Sequence, residues 1–112
     1  MKKGDVVVVD FPFTDLTGSK LRPSVILLEN KFDYVICFIT SNLAIEEPFD
    51  IVLSPKPSNG LKKQSLLKTN KIMTVDKDIV MGIIGQLTNA EINLLNNNMV
   101  KLFKFHIKRY EI

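Results

Sequence analysis

Hydrophobic positions along this chain fall into short runs separated by turn-forming residues, and only the last run repeats at helical spacing. Val6 to Asp10 is β-branched and apolar, which predicts a strand over Asp5–Phe11 that Pro12 ends or places at an edge. Residues 14–19 read as a loop, Pro23 as the opening of a strand over Ser24–Leu28, and residues 29–33 as a short hairpin connection. Tyr34–Thr40 is nearly continuous in apolar residues. Such a strand is buried on both faces, or lines a barrel on one side beneath a covering helix or subunit. A connection over Ser41–Pro48 leads to a short strand, Phe49–Leu53. Residues 54–63 hold Pro55, Pro57, Ser58, Asn59 and Gly60, the composition of a mobile surface loop. Ser65–Lys68 and Lys71–Val75 read as two strands parted by Thr69 and Asn70. A helical turn over Asp76–Val80 and a strand over Ile83–Leu87 follow, with Gly82 and Gly85 permitting a bend or a close backbone approach.

The terminal helix carries its own start signal. Thr88 stands three residues before Glu91, the spacing of a capping box, and Ile92, Leu95, Met99 and Leu102 then recur at intervals of three and four. Asn96, Asn97 and Asn98 are poor helix formers, so this helix needs packing to hold it. The apolar-basic tail from Phe103 to Ile112 reads as a last docking segment. Many short strands with one terminal helix predict a mainly β fold, a small, partly open β-barrel rather than an α/β Rossmann unit.

Length and composition narrow the chemistry. At 112 residues the chain fits a single domain over 1–112, and its 46% hydrophobic content excludes an intrinsically disordered chain. Asp5 and Asp10 interrupt the first apolar run, so it does not read as a signal peptide, and no run approaches a membrane span. A cytoplasmic protein without membrane contact is the expectation. One cysteine, Cys37, excludes an internal disulfide and reads as a small core residue. With a single histidine, His106, it offers no metal cage, and no metal or cofactor is expected. The net charge of +3 permits a nucleic-acid partner without requiring one. Its plain alternative is a lysine-rich solvated surface.

Charge placement says more than charge total. Of fifteen basic residues only two are arginines, and Arg22 lies in the run Gly18-Ser19-Lys20-Leu21-Arg22-Pro23 between two apolar segments. A guanidinium delivered beside a small sheet suits a phosphodiester, whose oxygens match its fork of donors. The structural alternative for Arg22 is an ion pair with Asp15 or Glu29 across the hairpin. For Thr40 and Ser41 it is a strand-end turn, and for Phe11, Phe13, Tyr34 and Phe49 it is core packing rather than base stacking.

The order of several short pieces resembles the PemK/MazF-type toxins of bacterial toxin–antitoxin modules. These pieces are Gly4-Asp5-Val6-Val7, Arg22-Pro23-Ser24-Val25-Ile26, Ile39-Thr40-Ser41, Ser65, and Ile72 through Lys77. The resemblance implies an SH3-like barrel with a C-terminal helix, a homodimer, and metal-independent, sequence-selective cleavage of single-stranded RNA. The expected product ends are a 2′,3′-cyclic phosphate or 3′-phosphate and a 5′-hydroxyl, and the expected partner is a cognate antitoxin. Carried over residue by residue, it makes Arg22 catalytic, with Thr40 and Ser41 contacting the reacting phosphate. Asp15, Thr17, Ser19 and Lys20 fall in the loop that closes on RNA and its exit. Lys62, Lys63, Ser65, Lys68 and Asn70 fall along the RNA groove, with Lys68 as a flexible second cation. Asn70 departs from the acidic residue of well-studied members, which leaves Asp15 or Asp10 as a base, or a mechanism resting mostly on electrostatics. Two rival functions remain at this level: an inhibitor of a protein target such as DNA gyrase, acting through Lys101–Ile112, and a non-catalytic binding module.

Overall fold

The computed structural model describes residues 1–12 and 19–104. Phe13, Asp15, Thr17 and the tail that holds His106 lie outside the described residues. Among the described residues six strands form one curled sheet, a half-barrel, with one α-helix at its C-terminal end. The elements are β1 (Asp5–Pro12), β2 (Ser19–Glu29), β3 (Asp33–Thr40), β4 (Ile51–Leu53), β5 (Ser65–Asp76), a 3-10 turn (Lys77–Ile79), β6 (Val80–Gln86) and α1 (Asn89–Phe103). All neighbouring strands are antiparallel, in the order β4-β5-β3-β2-β1-β6.

The sheet is buried on both faces, and this explains the unbroken apolar runs of β1 and β3. Successive side chains alternate between two cores. Val6, Val25, Cys37, Leu67 and Leu95 belong to one, and Val7, Ile26, Ile36, Val75 and Val80 to the other. α1 covers the first core. Its Leu95 is fully buried, and Ile92 and Met99 pack beside it. Thr88 closes the capping box: its side chain accepts from the Glu91 N–H at 3.1 Å, and Glu91 accepts from the Thr88 N–H at 2.8 Å. Asn98, intrinsically unfavourable in a helix, donates to the Phe49 carbonyl at 3.1 Å and so ties α1 to the approach of β4. Cys37 is buried, and burial pushes its thiol up to about 12, with Asp50 adding to the effect, so it is an inert core residue.

Three strand expectations are corrected. Pro23 does not open a strand but sits inside β2, opposite Val8 of β1. It is tolerated because β3 pairs with β2 only from Ser24 onward, so Pro23 has a strand on one side alone. The short strand after the 41–48 connection begins at Ile51 rather than Phe49. The segments at 65–68 and 71–75 are one strand. Cys37 pairs with Ile72 while its neighbour Phe38 pairs with Lys68, so Thr69, Asn70 and Lys71 form a bulge within β5.

The connection over 54–63 is not a loose loop. Asn59 is 1% exposed; its side-chain oxygen accepts from the N–H groups of Lys56 (3.1 Å) and Leu61 (3.0 Å), and its amide donates to Ser54 O (2.9 Å). The Gln86 N–H reaches Ser58 O at 2.8 Å. Turn-rich composition disfavours regular structure, but here the same residues satisfy one another's backbone groups. Among the described residues no helix is long and apolar enough to cross a membrane.

Candidate nucleic-acid interface

The interface originates where β2 and β3 part. Their ladder ends at Ser24 and Phe38, and the next residue of β2, Pro23, has no N–H to offer a neighbour. A cleft of about 470 Å³ opens there, lined by Phe11, Arg22, Pro23, Phe38, Ile39, Thr40, Lys68 and Lys71. Arg22 and Thr40 each stand two residues beyond the last pair of the β2–β3 ladder, Ser24 and Phe38, so both share the face of Phe38. The floor is apolar: Phe11 and Phe38 meet edge to face with centroids 5.3 Å apart. Lys68 and Lys71 would face opposite sides of a regular strand, being three apart. The β5 bulge brings both into the same cleft.

Arg22 also borders a second cleft, of about 500 Å³, on the other side of Pro23. Val8, Leu21, Ser41, Leu61, Lys62, Lys63, Ser65 and Ile84 complete it. The adjacent residues Thr40 and Ser41 therefore serve different clefts, with Arg22 common to both. The Thr40 hydroxyl oxygen accepts from the Asn42 N–H at 3.1 Å, the strand-end turn that stood as the structural alternative, and its own hydrogen is left to donate. Ser65 is 3% exposed and its hydroxyl donates to Lys63 O at 2.9 Å, so it offers a ligand only its lone pairs. Lys20, Lys62 and Lys63 are exposed. Ser19 is placed by its backbone pairing with Pro12 at the start of β2.

Lys68 differs from the flexible point charge expected. Its side chain is 9% exposed and its ammonium lies 2.5 Å from Asp50 Oδ2 and 3.0 Å from Glu47 Oε1. Burial works to lower its pKa, but the bonds to Asp50 and Glu47 outweigh burial and hold it above the ordinary lysine value. The same contact with Lys68, and a second with Asn70, hold the Glu47 carboxyl below its ordinary value. Asn70 stands outside both clefts and donates to Glu47 Oε2 at 2.8 Å beside a smaller hollow of about 180 Å³. Glu29 accepts from Lys77 at 2.8 Å, which assigns it to a partner other than Arg22. One oxygen of Asp10 is buried without a hydrogen-bond partner, and strand alternation puts that residue on the sheet face opposite Arg22.

Sequence reasoning passed over Glu47, Asp50, Lys71 and the Phe38 ring. The carboxylates sit in an irregular connection, and the bulge that turns Lys71 inward leaves no signature in residue order. Among the described residues no group of three or more histidine, cysteine or acidic side chains is placed to hold a metal ion.

Comparison with known proteins places the chain in a family. Residues 2–103 match the model of the PemK-like, MazF-like toxins of type II toxin–antitoxin systems, and the chain belongs to that family. No sequence match is found among proteins of curated function. Several solved structures share the fold. An endoribonuclease in complex with its cognate antitoxin from a mycobacterial species superposes with a TM-score of 0.74 at 19% identity, over 96% of this chain and 99% of that one. The Mycobacterium tuberculosis toxin MazF-mt6 gives a TM-score of 0.70 at 16% identity, over 90% and 99% of the two chains. MazF from Deinococcus radiodurans gives 0.71 at 15%, over 94% and 97%.

Proposed function

We propose that this protein is the toxin of a toxin–antitoxin module and acts as a metal-independent, sequence-selective endoribonuclease on single-stranded RNA. The observation that carries this reading is the convergence of Arg22 and Thr40 on one cleft with an aromatic floor and a further cation, Lys71.

Cleavage through the RNA 2′-hydroxyl requires that this group lose a proton, that the phosphorane-like transition state be stabilised, and that the 5′-oxygen be protonated as it leaves. Arg22 takes the second task, because negative charge grows on the non-bridging oxygens as the 2′-oxygen attacks and a guanidinium presents two parallel donors to them. Thr40 donates to the same phosphate and holds it in line. Ser41, Lys20, Lys62, Lys63 and Ser65 follow the strand into the second cleft. The scissile phosphate thus sits at Arg22 with nucleotides on either side of Pro23. Asp15 and Thr17, which precede β2 in the sequence, and Ser19 at its first position also contact the RNA. The products are a 2′,3′-cyclic phosphate, or the 3′-phosphate from its hydrolysis, and a 5′-hydroxyl. The active form is a homodimer, and a cognate antitoxin blocks the groove.

The test is cleavage of a long mixed-sequence RNA in the presence of chelator, by wild type and by Arg22→Ala, with both product ends sequenced. Discrete sites with 5′-hydroxyl ends from the wild type alone are expected. Intact RNA from a folded wild-type sample would overturn the proposal and turn attention to a protein target.

A further inference from the structure

Lys68 reaches the wall of the main cleft, yet its charge is already answered twice, and the two answers are unequal. Asp50 is 1% exposed at its side chain and sits at 2.5 Å; Glu47 is 39% exposed and sits at 3.0 Å. Asp50 is also fixed from behind, because it accepts from the Glu47 N–H at 2.7 Å. Glu47 is held by one exposed side chain, that of Asn70. The triad carries two carboxylates for one ammonium, so its net charge is negative beside a cleft that otherwise presents Arg22 and Lys71.

We propose that Glu47 is a displaceable counter-ion that occupies Lys68 until an RNA phosphate takes its place, while Asp50 is the permanent partner. The proposal rests on the RNA reading given above. Three features carry it. The Glu47 end of its pair is exposed, so water screens it and a polyanion competes with it, whereas the Asp50 pair is buried at both ends and costly to break. Lysine has three N–H donors and two carboxylate partners here, so a phosphate can join the ammonium before Glu47 leaves. Once Glu47 swings out, Lys68 and Asp50 remain a neutral buried pair and nothing charged is stranded. Glu47 thereby sets how tightly the cleft holds RNA, and it acts on affinity rather than on the bond-breaking step.

The experiment compares binding of a short mixed-sequence 2′-O-methyl RNA, which lacks the attacking hydroxyl, to wild type, Glu47→Gln and Glu46→Gln. Both substitutions remove one negative charge. Glu46 is exposed and stands outside the triad, so it reports the effect of net charge alone. Glutamine at 47 keeps the shape and an acceptor for Asn70, and melting curves verify folding. The expected result is binding about three- to fivefold tighter for Glu47→Gln than for Glu46→Gln, the worth of one ion pair screened by water at its Glu47 end. The excess should vanish at high salt. It should also vanish when Lys68→Gln is added, provided that protein folds. Equal gains from both substitutions, or no gain at 47, would overturn the counter-ion role and leave the RNA reading standing. Failure of folded wild type and both variants to retain the RNA would bring down the RNA reading and this proposal together.

Discussion

Gly85 and Asn59 touch backbone to backbone. A methyl group on Gly85 would lie 2.4 Å from the Asn59 carbonyl carbon and 2.5 Å from Ser58 O. Gly60 answers from the other side: with φ of +69°, its Cβ would lie 2.2 Å from Ile84 O. This interlock joins β6 to the 54–63 connection and sets one wall of the second cleft, where Gly60, Leu61, Lys62, Lys63 and Ile84 all lie.

The three glycines of this region therefore separate in their tolerance of alanine. Gly85→Ala forces backbone apart and is expected to cost about 2 to 3 kcal/mol, and Gly60→Ala at least as much because left-handed strain is added. Gly82 meets nothing within 4 Å, and Gly82→Ala should stay within about 0.5 kcal/mol of wild type. Urea denaturation of the three variants checks the order, and equal losses at all three would refute the interlock.

Arg22 is exposed, and its removal should lower cleavage far more than it lowers stability. A lost transition-state donor of this kind costs about a hundred- to thousandfold in rate. Lysine at 22 keeps the charge but lacks the two-pronged fork and should recover only a small part of the loss. Single-turnover cleavage rates for Arg22→Ala and Arg22→Lys measure both effects. Full activity in the lysine variant would show that charge alone suffices.

Lys68 is a structural residue before it is anything else. Lys68→Met leaves Asp50 buried without its cation and is expected to cost about 3 kcal/mol in denaturant unfolding. A methionine variant as stable as wild type would mean that the ion pair contributes nothing to the fold.

Glu91 makes the helix start sensitive to acid. Partial burial raises its pKa, but the Thr88 N–H and hydroxyl and the Lys56 ammonium more than offset this and hold the carboxyl below its ordinary value. A depressed folded pKa contributes stability above the ordinary glutamate value, and that contribution is lost as pH falls through the folded one. Glu91→Gln should thus be less stable than wild type at neutral pH, with the gap closing below about pH 4. Thr88→Ala should cost about 1 kcal/mol at neutral pH. Thermal melts from neutral to acidic pH decide it; a gap that widens with acid would reverse the sign.

What the sequence determined by itself is what depends on near neighbours along the chain. The Thr88–Glu91 capping box, the helical spacing of Ile92, Leu95 and Met99, and the double burial of the 34–40 run were all legible, because period and capping are local properties. The tertiary structure alone decided the rest. Pro23 reads locally as a strand opener; that it sits within β2 depends on which strand lies beside it and where that neighbour stops. Residues 54–63 read as loose because turn residues predict irregularity, and irregular is not the same as mobile once Asn59 and Gly85 lock the connection to β6. Lys68 reads as a free cation because its carboxylate partners, Glu47 and Asp50, reach it only after β4 pairs with β5. Residues far apart in the chain, brought together by strand pairing and by a bulge, make the cleft, and no local pattern encodes that meeting.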